Sequence, residues 1–225
     1  MNKWLKGIKG IVGLSLIAVL AGCGSTAETD EAKHSGFLSN YDRQVEIPTG
    51  DDDLLKTRWV SDAMASGNHT ALMIDPIVYF PAPMTSEKVT SEVLAEVLNY
   101  TNESIRESAA STGKLVDKPG PGVVRLRLAI TGASIDDQGL TALQYLPIAF
   151  VASAATGNLD NLAAHLTVEG EVIDSVSGEL LSSTVLVGIG KEVDDDEAVL
   201  NFDMVKPVID KWNQEMIEGI GRDLH

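Results

Sequence analysis

The chain contains a single cysteine, Cys23, among its 225 residues. Without a second thiol no disulfide can form within the chain, so the fold must be held together by the burial of apolar side chains. Apolar residues make up 44% of the chain, and a chain of this length can form a sizeable hydrophobic core. We therefore expect a globular fold that does not depend on disulfides.

Residues 1–22 have the organisation of an export signal. Three lysines (Lys3, Lys6 and Lys9) precede a short apolar run at 11–20, and the small residues Ala21 and Gly22 follow directly. The run is too short for a membrane-spanning helix, which takes about 20 apolar residues. We predict a signal peptide over 1–22, with cleavage between Gly22 and Cys23.

The sequence Leu20-Ala21-Gly22-Cys23 resembles the lipobox of bacterial lipoproteins. This resemblance implies that the Cys23 thiol carries a diacylglycerol and that the new N-terminus carries a further acyl chain such as palmitate. Two or more acyl chains give stable membrane anchoring, whereas one holds only marginally. In Gram-negative lipoproteins an Asp after the cysteine implies retention at the inner membrane. Gly24 therefore implies an anchor in the outer membrane, with the protein facing the periplasm.

The acidic balance of the chain limits its partners. Cleavage of the signal, which contains the three lysines and no acidic residue, takes the formal net charge from −16 to −19. A surface this acidic repels phosphate backbones and anionic headgroups, so we exclude nucleic acid as a partner. Other envelope proteins and neutral ligands are electrostatically acceptable.

The mature chain divides into an anchor with a tether and one domain. Residues 23–35 are small, polar and acidic after the anchor cysteine, which predicts a flexible tether. Residues 36–225 are predicted to form a single domain. The first apolar run, at 35–41, is expected to dock on that domain.

Hydrophobic periodicity predicts an α+β fold. The pattern predicts a strand at 71–80 interrupted by Pro76, a helix at 86–111, a strand at 124–130, a hairpin of strands 166–174 and 180–189, and a helix from about 206 with Pro207 in its first turn. Pro76 places the first strand at a sheet edge or bulge. The economical packing is a mostly antiparallel sheet with two main helices on one face.

Several short motifs resemble the bacterial lipoproteins grouped as domain-of-unknown-function family 3313. The motifs are Ser-Gly-Phe-Leu-Ser-Asn-Tyr at 35–41, Arg58-Trp59-Val60, Ile74-Asp75-Pro76-Ile77, and Glu169-Gly170-Glu171-Val172-Ile173-Asp174-Ser175 leading to Ser177-Gly178-Glu179. The resemblance covers nearly the whole mature chain. It implies no catalytic residue, because the function of that family is undefined.

We find no pattern of catalytic, cofactor-binding or metal-binding residues. The four histidines, His34, His69, His165 and His225, have no ligand spacing. The acidic runs at 51–53 and 194–197 lack the alternating spacing of a calcium loop, so we interpret them as solvated loops. No serine nucleophile motif or dinucleotide-binding fingerprint is present. Asp75 and Glu169 remain as candidate acids, and for Asp75 we favour a hydrogen-bonded structural role.

The most apolar stretch of the mature chain is residues 145–155. It is too short to span a bilayer, and we interpret it as a buried turn and short helix, with a docking patch as the alternative.

These observations favour a non-enzymatic envelope lipoprotein that faces the periplasm and contacts other envelope proteins or supports the envelope. Two alternatives stay open: an enzyme acting on envelope polymers and a small-ligand binder. Convergent polar groups in a deep pocket would favour either alternative. The sequence does not indicate the oligomeric state.

Overall fold

The computed structural model describes residues 34–51, 53–136, 163–192 and 199–224. The strands in these ranges are β1 (Val45–Glu46), β2 (Leu54–Val60), β3 (Ala71–Ile74), β4 (Val78–Tyr79), β5 (Val123–Asp136), β6 (Ala163–Asp174) and β7 (Leu180–Glu192). The helices are α1 (Asp62–Ser66), α2 (Ser91–Ser111) and α3 (Phe202–Asp223), with a 3-10 turn at Tyr41–Arg43. No helix of the described ranges is long and apolar enough to cross a membrane.

The strands form one sheet in the order β1-β2-β7-β6-β5-β3, with β4 also paired to β5. All pairs from β1 to β5 in this order are antiparallel, whereas β3 and β4 run parallel to β5. Gly178 takes a φ of +76° in the tight turn between β6 and β7, as the predicted hairpin requires. The mostly antiparallel α+β sheet predicted from the sequence is confirmed.

Helices α2 and α3 contact each other and pack on one face of the sheet. The Thr90 hydroxyl caps α2 by accepting the Val93 N–H at 3.4 Å, and Gly113 follows the helix with a φ of +71°. Alternate side chains of β6, including Leu166 and Val168, point into the core between the sheet and the helices. We call this the helix face of the sheet and the opposite one its outer face.

Both main helices differ from the sequence prediction at their first residue. Helix α2 begins at Ser91 and not at 86, because Thr90 provides the cap while Ser86 accepts the Val89 N–H in a preceding turn. Helix α3 begins at Phe202 and not near 206, so Pro207 lies inside the helix and not in its first turn. The additional turn packs Phe202 edge-on against Tyr100 with ring centroids 5.0 Å apart.

The predicted strand at 71–80 is two short strands, β3 and β4, separated by Asp75-Pro76-Ile77. Both lie beyond β5, at the edge where a proline is tolerated. Periodicity did not find β1, β2 or α1. The predicted apolar segment 145–155 and the acidic run 194–197 lie outside the described residues.

Candidate functional site

Two buried glutamates occupy the outer face of β6. Glu169 and Glu171 are two residues apart, so both project from the same face, and they are 0% and 3% exposed. A carboxylate removed from water in this way needs partners that satisfy its oxygens. These come mainly from residues 34–41, which cross the outer face and which we call the N-terminal segment.

Glu169 accepts two hydrogen bonds at one oxygen. The Ser35 hydroxyl donates to Glu169 Oε2 at 2.8 Å and the Tyr41 hydroxyl donates to the same atom at 2.5 Å. The Tyr41 oxygen also accepts the backbone N–H groups of Gly36 and Leu38, each at 3.1 Å. One phenol group therefore fixes the backbone of the N-terminal segment over β6.

Glu171 binds the same segment from a second point. Its Oε1 accepts both the backbone N–H and the hydroxyl of Ser39 at 2.9 Å. Its Oε2 accepts Arg127 Nη1 at 3.0 Å, an ion pair whose carboxylate partner is buried. The Arg127 guanidinium also lies 5.5 Å from the centre of the Phe37 ring, at the distance of a cation–π contact.

Burial raises the pKa of the Glu169 carboxyl, and the hydrogen bonds from Tyr41 and Ser35 oppose that rise. Burial, followed by the bond to Glu169, raises the pKa of the Tyr41 phenol to about 12. Tyr41 therefore keeps its proton and acts as a donor throughout the physiological range. This arrangement holds the N-terminal segment in place.

Apolar contacts complete the docking of the N-terminal segment. Leu38 is buried against Val185 and Val187 of β7, and the His34 ring stacks on Tyr41 with centroids 4.0 Å apart. Asn40 Oδ1 accepts the Ser183 hydroxyl at 2.7 Å. These contacts confirm that residues 35–41 dock on the domain.

Asp75, the other candidate acid, lies far along the chain from this cluster and is engaged by an arginine. Arg125 Nε and Nη2 donate to its two carboxylate oxygens, both at 2.8 Å. Such a paired geometry is the strong form of an arginine–carboxylate contact. The structure does not bring Asp75 and Glu169 together. Asp75 pairs with Arg125, whereas Glu169 binds residues of the N-terminal segment.

The remaining predicted positions form no common site. Lys211 of α3 bridges Asp51 and Asp53 at 2.9 and 3.2 Å, and its hydrogen bond lowers the pKa of Asp51. The described ranges contain no group of three or more His, Cys, Asp or Glu residues that could hold a metal ion. Gly22, Cys23 and His225 lie outside the described residues.

A cavity of about 140 Å³ lies on the helix face, between α3 and the sheet. Its walls are mostly apolar side chains from β5, β6, β7 and both main helices. Two ion pairs stand at its rim, Lys56 with Glu215 and Arg58 with Asp223. The lining includes Met64, Leu72, Ile105, Leu126, Leu128, Val168, Gly170, Val172, Ser182, Thr184, Trp212 and Ile220.

Comparison with known proteins identifies the family. The model of a protein family of unknown function, DUF3313, matches residues 33–216. The chain belongs to that family. It is 33% identical over 205 residues to the uncharacterised lipoprotein YdcL of Escherichia coli K12, covering 89% of this chain and 90% of the relative. The match to YdcL of Escherichia coli O157:H7 has the same identity and coverage.

Similarity to solved structures is distant. The PelC dodecamer from Paraburkholderia phytofirmans matches with a TM-score of 0.35 and 11% identity, over 76% of this chain and 97% of that one. The hypothetical protein CT253 from Chlamydia trachomatis gives 0.39 and 10%, over 66% and 96%. The protein XCC0632 from Xanthomonas campestris gives 0.38 and 13%, over 65% and 81%.

Two of the motifs that carry the family resemblance meet in space. The run at 35–41 supplies Ser35, Ser39 and Tyr41, and the run beginning at Glu169 supplies both of their buried acceptors. Each run is recognisable in the sequence, whereas their contact is not. The available signal was Glu-Gly-Glu in the middle of a predicted strand, because acids buried in a sheet require donors from elsewhere.

Proposed function

We propose that this protein is a non-enzymatic lipoprotein of the bacterial envelope, anchored through acylated Cys23 in the outer membrane and facing the periplasm. The lipobox at 20–23 supports the anchor, and so does the match to a relative named as a lipoprotein. Gly24 supports the outer membrane as its location. In this proposal the domain contacts other envelope proteins or supports the envelope.

One observation carries the non-enzymatic part of the proposal. Both acids that the sequence offered for catalysis are bound by the protein's own side chains, Asp75 by Arg125 and Glu169 by Ser35 and Tyr41. A general acid or base must be within hydrogen-bonding reach of a substrate proton. Glu169 is 0% exposed beneath the N-terminal segment, so a substrate would have to displace that segment to reach it.

Glu169 and Glu171 instead bind the N-terminal segment, which leads to the proposed lipid anchor at Cys23. Only residues 24–33 separate Cys23 from His34, where the docked N-terminal segment begins. Even a fully extended chain of that length reaches at most roughly 40 Å. The domain is therefore presented close to the membrane, in reach of components that share this surface.

Anchoring is tested by detergent-phase partitioning of the protein expressed in its full length. We expect the wild-type protein in the detergent phase, and the Cys23→Ser variant in the aqueous phase or unprocessed. A wild-type protein found wholly in the aqueous phase would rule out the anchor.

The absence of catalysis is tested with Asp75→Asn. Loss of the paired contact with Arg125 is expected to cost about 1–3 kcal/mol of unfolding free energy. At matched amounts of folded protein the variant should still complement a deletion strain. A variant as stable as the wild type yet inactive would favour the enzyme, because active-site residues are often kept at a cost to stability.

A second candidate function, small-ligand binding, is favoured by the cavity beneath α3. An apolar cavity of about 150 Å³ can stay dry and bind a molecule the size of benzene, and the cavity here is about 140 Å³. Ligand binding to the folded state raises stability by about 2.7 kcal/mol at a ligand concentration 100 times the dissociation constant.

Thermal unfolding in the presence of benzene tests this candidate. A bound ligand raises the melting temperature of the wild type, and Val172→Phe, which fills part of the cavity, should abolish the rise. Val176→Phe is the matched control, because Val176 is 67% exposed in the turn after β6 and lies outside the cavity. No rise in the wild type would remove the candidate.

A further inference from the structure

An exposed apolar patch lies beside the point where the chain leaves for its anchor. We define it by Val78 and Phe80 with the partly buried Phe37 beside them, and by Met84, which follows four residues after Phe80 in an exposed loop. Val78 is 46% exposed, Phe80 38% and Met84 91%, and every residue from Pro81 to Glu87 is exposed. Large exposed apolar side chains that cluster in this way mark interaction surfaces.

The apolar patch is physically joined to the N-terminal segment. The rings of Phe37 and Phe80 lie 5.8 Å apart, and Phe80 Cε1 lies 3.9 Å from the point a Cβ on Gly36 would occupy. Val78 and Phe80 alternate with Tyr79, whose hydroxyl instead donates to the Leu94 carbonyl on the helix side. The patch therefore shares the outer face with the start of the tether.

The local charge suits a bilayer surface. Residues 76–86 contain no charged side chain, in a protein whose formal net charge is −16 before cleavage. Because an acidic surface repels anionic headgroups, this uncharged stretch of the described residues can approach lipid with little repulsion. The short link to the anchor also favours contact with lipid, because it raises the effective concentration of the apolar patch at the membrane.

We propose that the apolar patch docks on the membrane that holds the lipid anchor, with Met84 and Phe80 inserted at the level of the headgroups. This proposal rests on the anchoring of Cys23 proposed above. It orients the molecule with the outer face of the sheet toward the bilayer and the helices away from it. The occupant is the lipid surface and not a second copy of the chain.

The test places a fluorophore at two positions of the lipidated full chain reconstituted into phosphatidylcholine vesicles. Acylation consumes the thiol of Cys23, so Met84→Cys and Val176→Cys each introduce one free thiol for a nitrobenzoxadiazole label. Both side chains are exposed, so neither substitution threatens folding. Phe80, four residues before Met84, and Ser175, next to Val176, hydrogen-bond to Ile130 and Val123 of β5. These two positions are separated by about 20 Å along the strand.

We expect the label at 84 to show blue-shifted emission and a loss of fluorescence with spin-labelled lipid, and the label at 176 to show neither. Vesicles of phosphatidylglycerol should reduce the effect at 84, because the domain is acidic. Equal emission and quenching at the two positions in vesicle-bound protein would overturn the docking. A blue shift at 84 without quenching assigns the patch to a protein contact and also overturns it. If the wild type does not float with the vesicles, the anchor itself fails, and the docking falls with it.

Discussion

The phenol of Tyr41 makes more contacts than its position in a short polar turn indicates. Its oxygen donates to Glu169 and accepts from the N–H groups of Gly36 and Leu38, so removing it leaves a buried carboxylate and two backbone donors short of a partner. The cost of such a loss is set by the groups left unpaired more than by the bond itself.

We therefore predict that Tyr41→Phe lowers the unfolding free energy by about 1–3 kcal/mol. Hydrogen exchange should accelerate at Gly36 and Leu38 before it does so in the sheet. The matched control is Tyr100→Phe, which removes an exposed hydroxyl bonded to Asp210 at 2.7 Å and should change stability little. Equal losses in the two variants would contradict the role given to Tyr41.

The raised pKa of Glu169 gives a prediction with a definite sign. In the unfolded chain the Glu169 carboxyl has the ordinary pKa of 4.5. The folded state keeps the proton of this carboxyl to a higher pH. The folded state then binds more protons, so the contribution of this group to stability is present at low pH and falls as the pH rises through the folded pKa.

Glu169→Gln keeps the shape and an acceptor for Tyr41 while removing the ionisable group. We expect the wild type to lose stability relative to this variant as the pH is raised from about 4.5. The loss is about 1.4 kcal/mol for each unit by which the pKa of Glu169 is higher in the folded state than in the unfolded chain. Urea denaturation of the mature chain carrying Cys23→Ser, measured across this range, is the check. A difference that does not change with pH would show that burial leaves the Glu169 carboxyl unshifted.

At the scale of elements, the packing of α3 on β7 depends on glycine in the strand. A Cβ on Gly190 would lie 2.2 Å from the backbone oxygen of Met204, and one on Gly188 would lie 2.1 Å from Val208 Cγ1. The sequence Gly188-Ile189-Gly190 lacks the third glycine of a dinucleotide-binding fingerprint. Its glycines serve the close approach of a helix to a strand.

We predict opposite effects for alanine at two glycines of this layer. Gly190→Ala forces α3 away from the sheet and should cost about 1–3 kcal/mol, as overpacking does. Gly219→Ala meets only an ordinary 3.6 Å contact with Arg222 Nη2 and should stabilise α3 by about 0.5–1 kcal/mol. Melting temperatures of the two variants decide this, and a shift in the same direction for both would argue against the close approach.

The sequence predicted both main helices, the region of β3 and β4, and strands β5 to β7, and it missed β1, β2 and α1. Strand β5 alternates apolar and polar side chains from Val124 to Leu128, so its period is visible in the sequence, and the turn that ends at Gly178 marks the hairpin of β6 and β7. Strand β1 has two residues and α1 has five, which is too short for any period to show. Helix starts were displaced because capping is decided by local geometry, as Thr90 shows by serving in place of Ser86.

The glutamate site was only half predictable for a related reason. Residues 35–41 were expected to dock because they are apolar after a polar stretch, and Glu169 was noted as an acid. Their contact joins residues 134 positions apart, and no local pattern specifies which strand face a distant segment crosses.

At the scale of the whole molecule, stability should depend on neither a metal nor a disulfide. The chain has one cysteine, and its core combines apolar side chains of the sheet with those of α2 and α3. The described ranges contain no group of three or more His, Cys, Asp or Glu residues that could hold a metal ion, and the neighbouring acids Asp51 and Asp53 both pair with Lys211.

We accordingly predict that the mature chain carrying Cys23→Ser melts in one transition whose midpoint is unchanged by a chelator or by a thiol reductant. Metal bound to the folded state alone would raise the midpoint, and the chelator would then lower it. Adding calcium to the chelated protein is the matching control, because hard cations prefer clustered carboxylates. A midpoint that falls with the chelator and recovers with calcium would contradict the prediction and direct attention to the acidic run at 194–197.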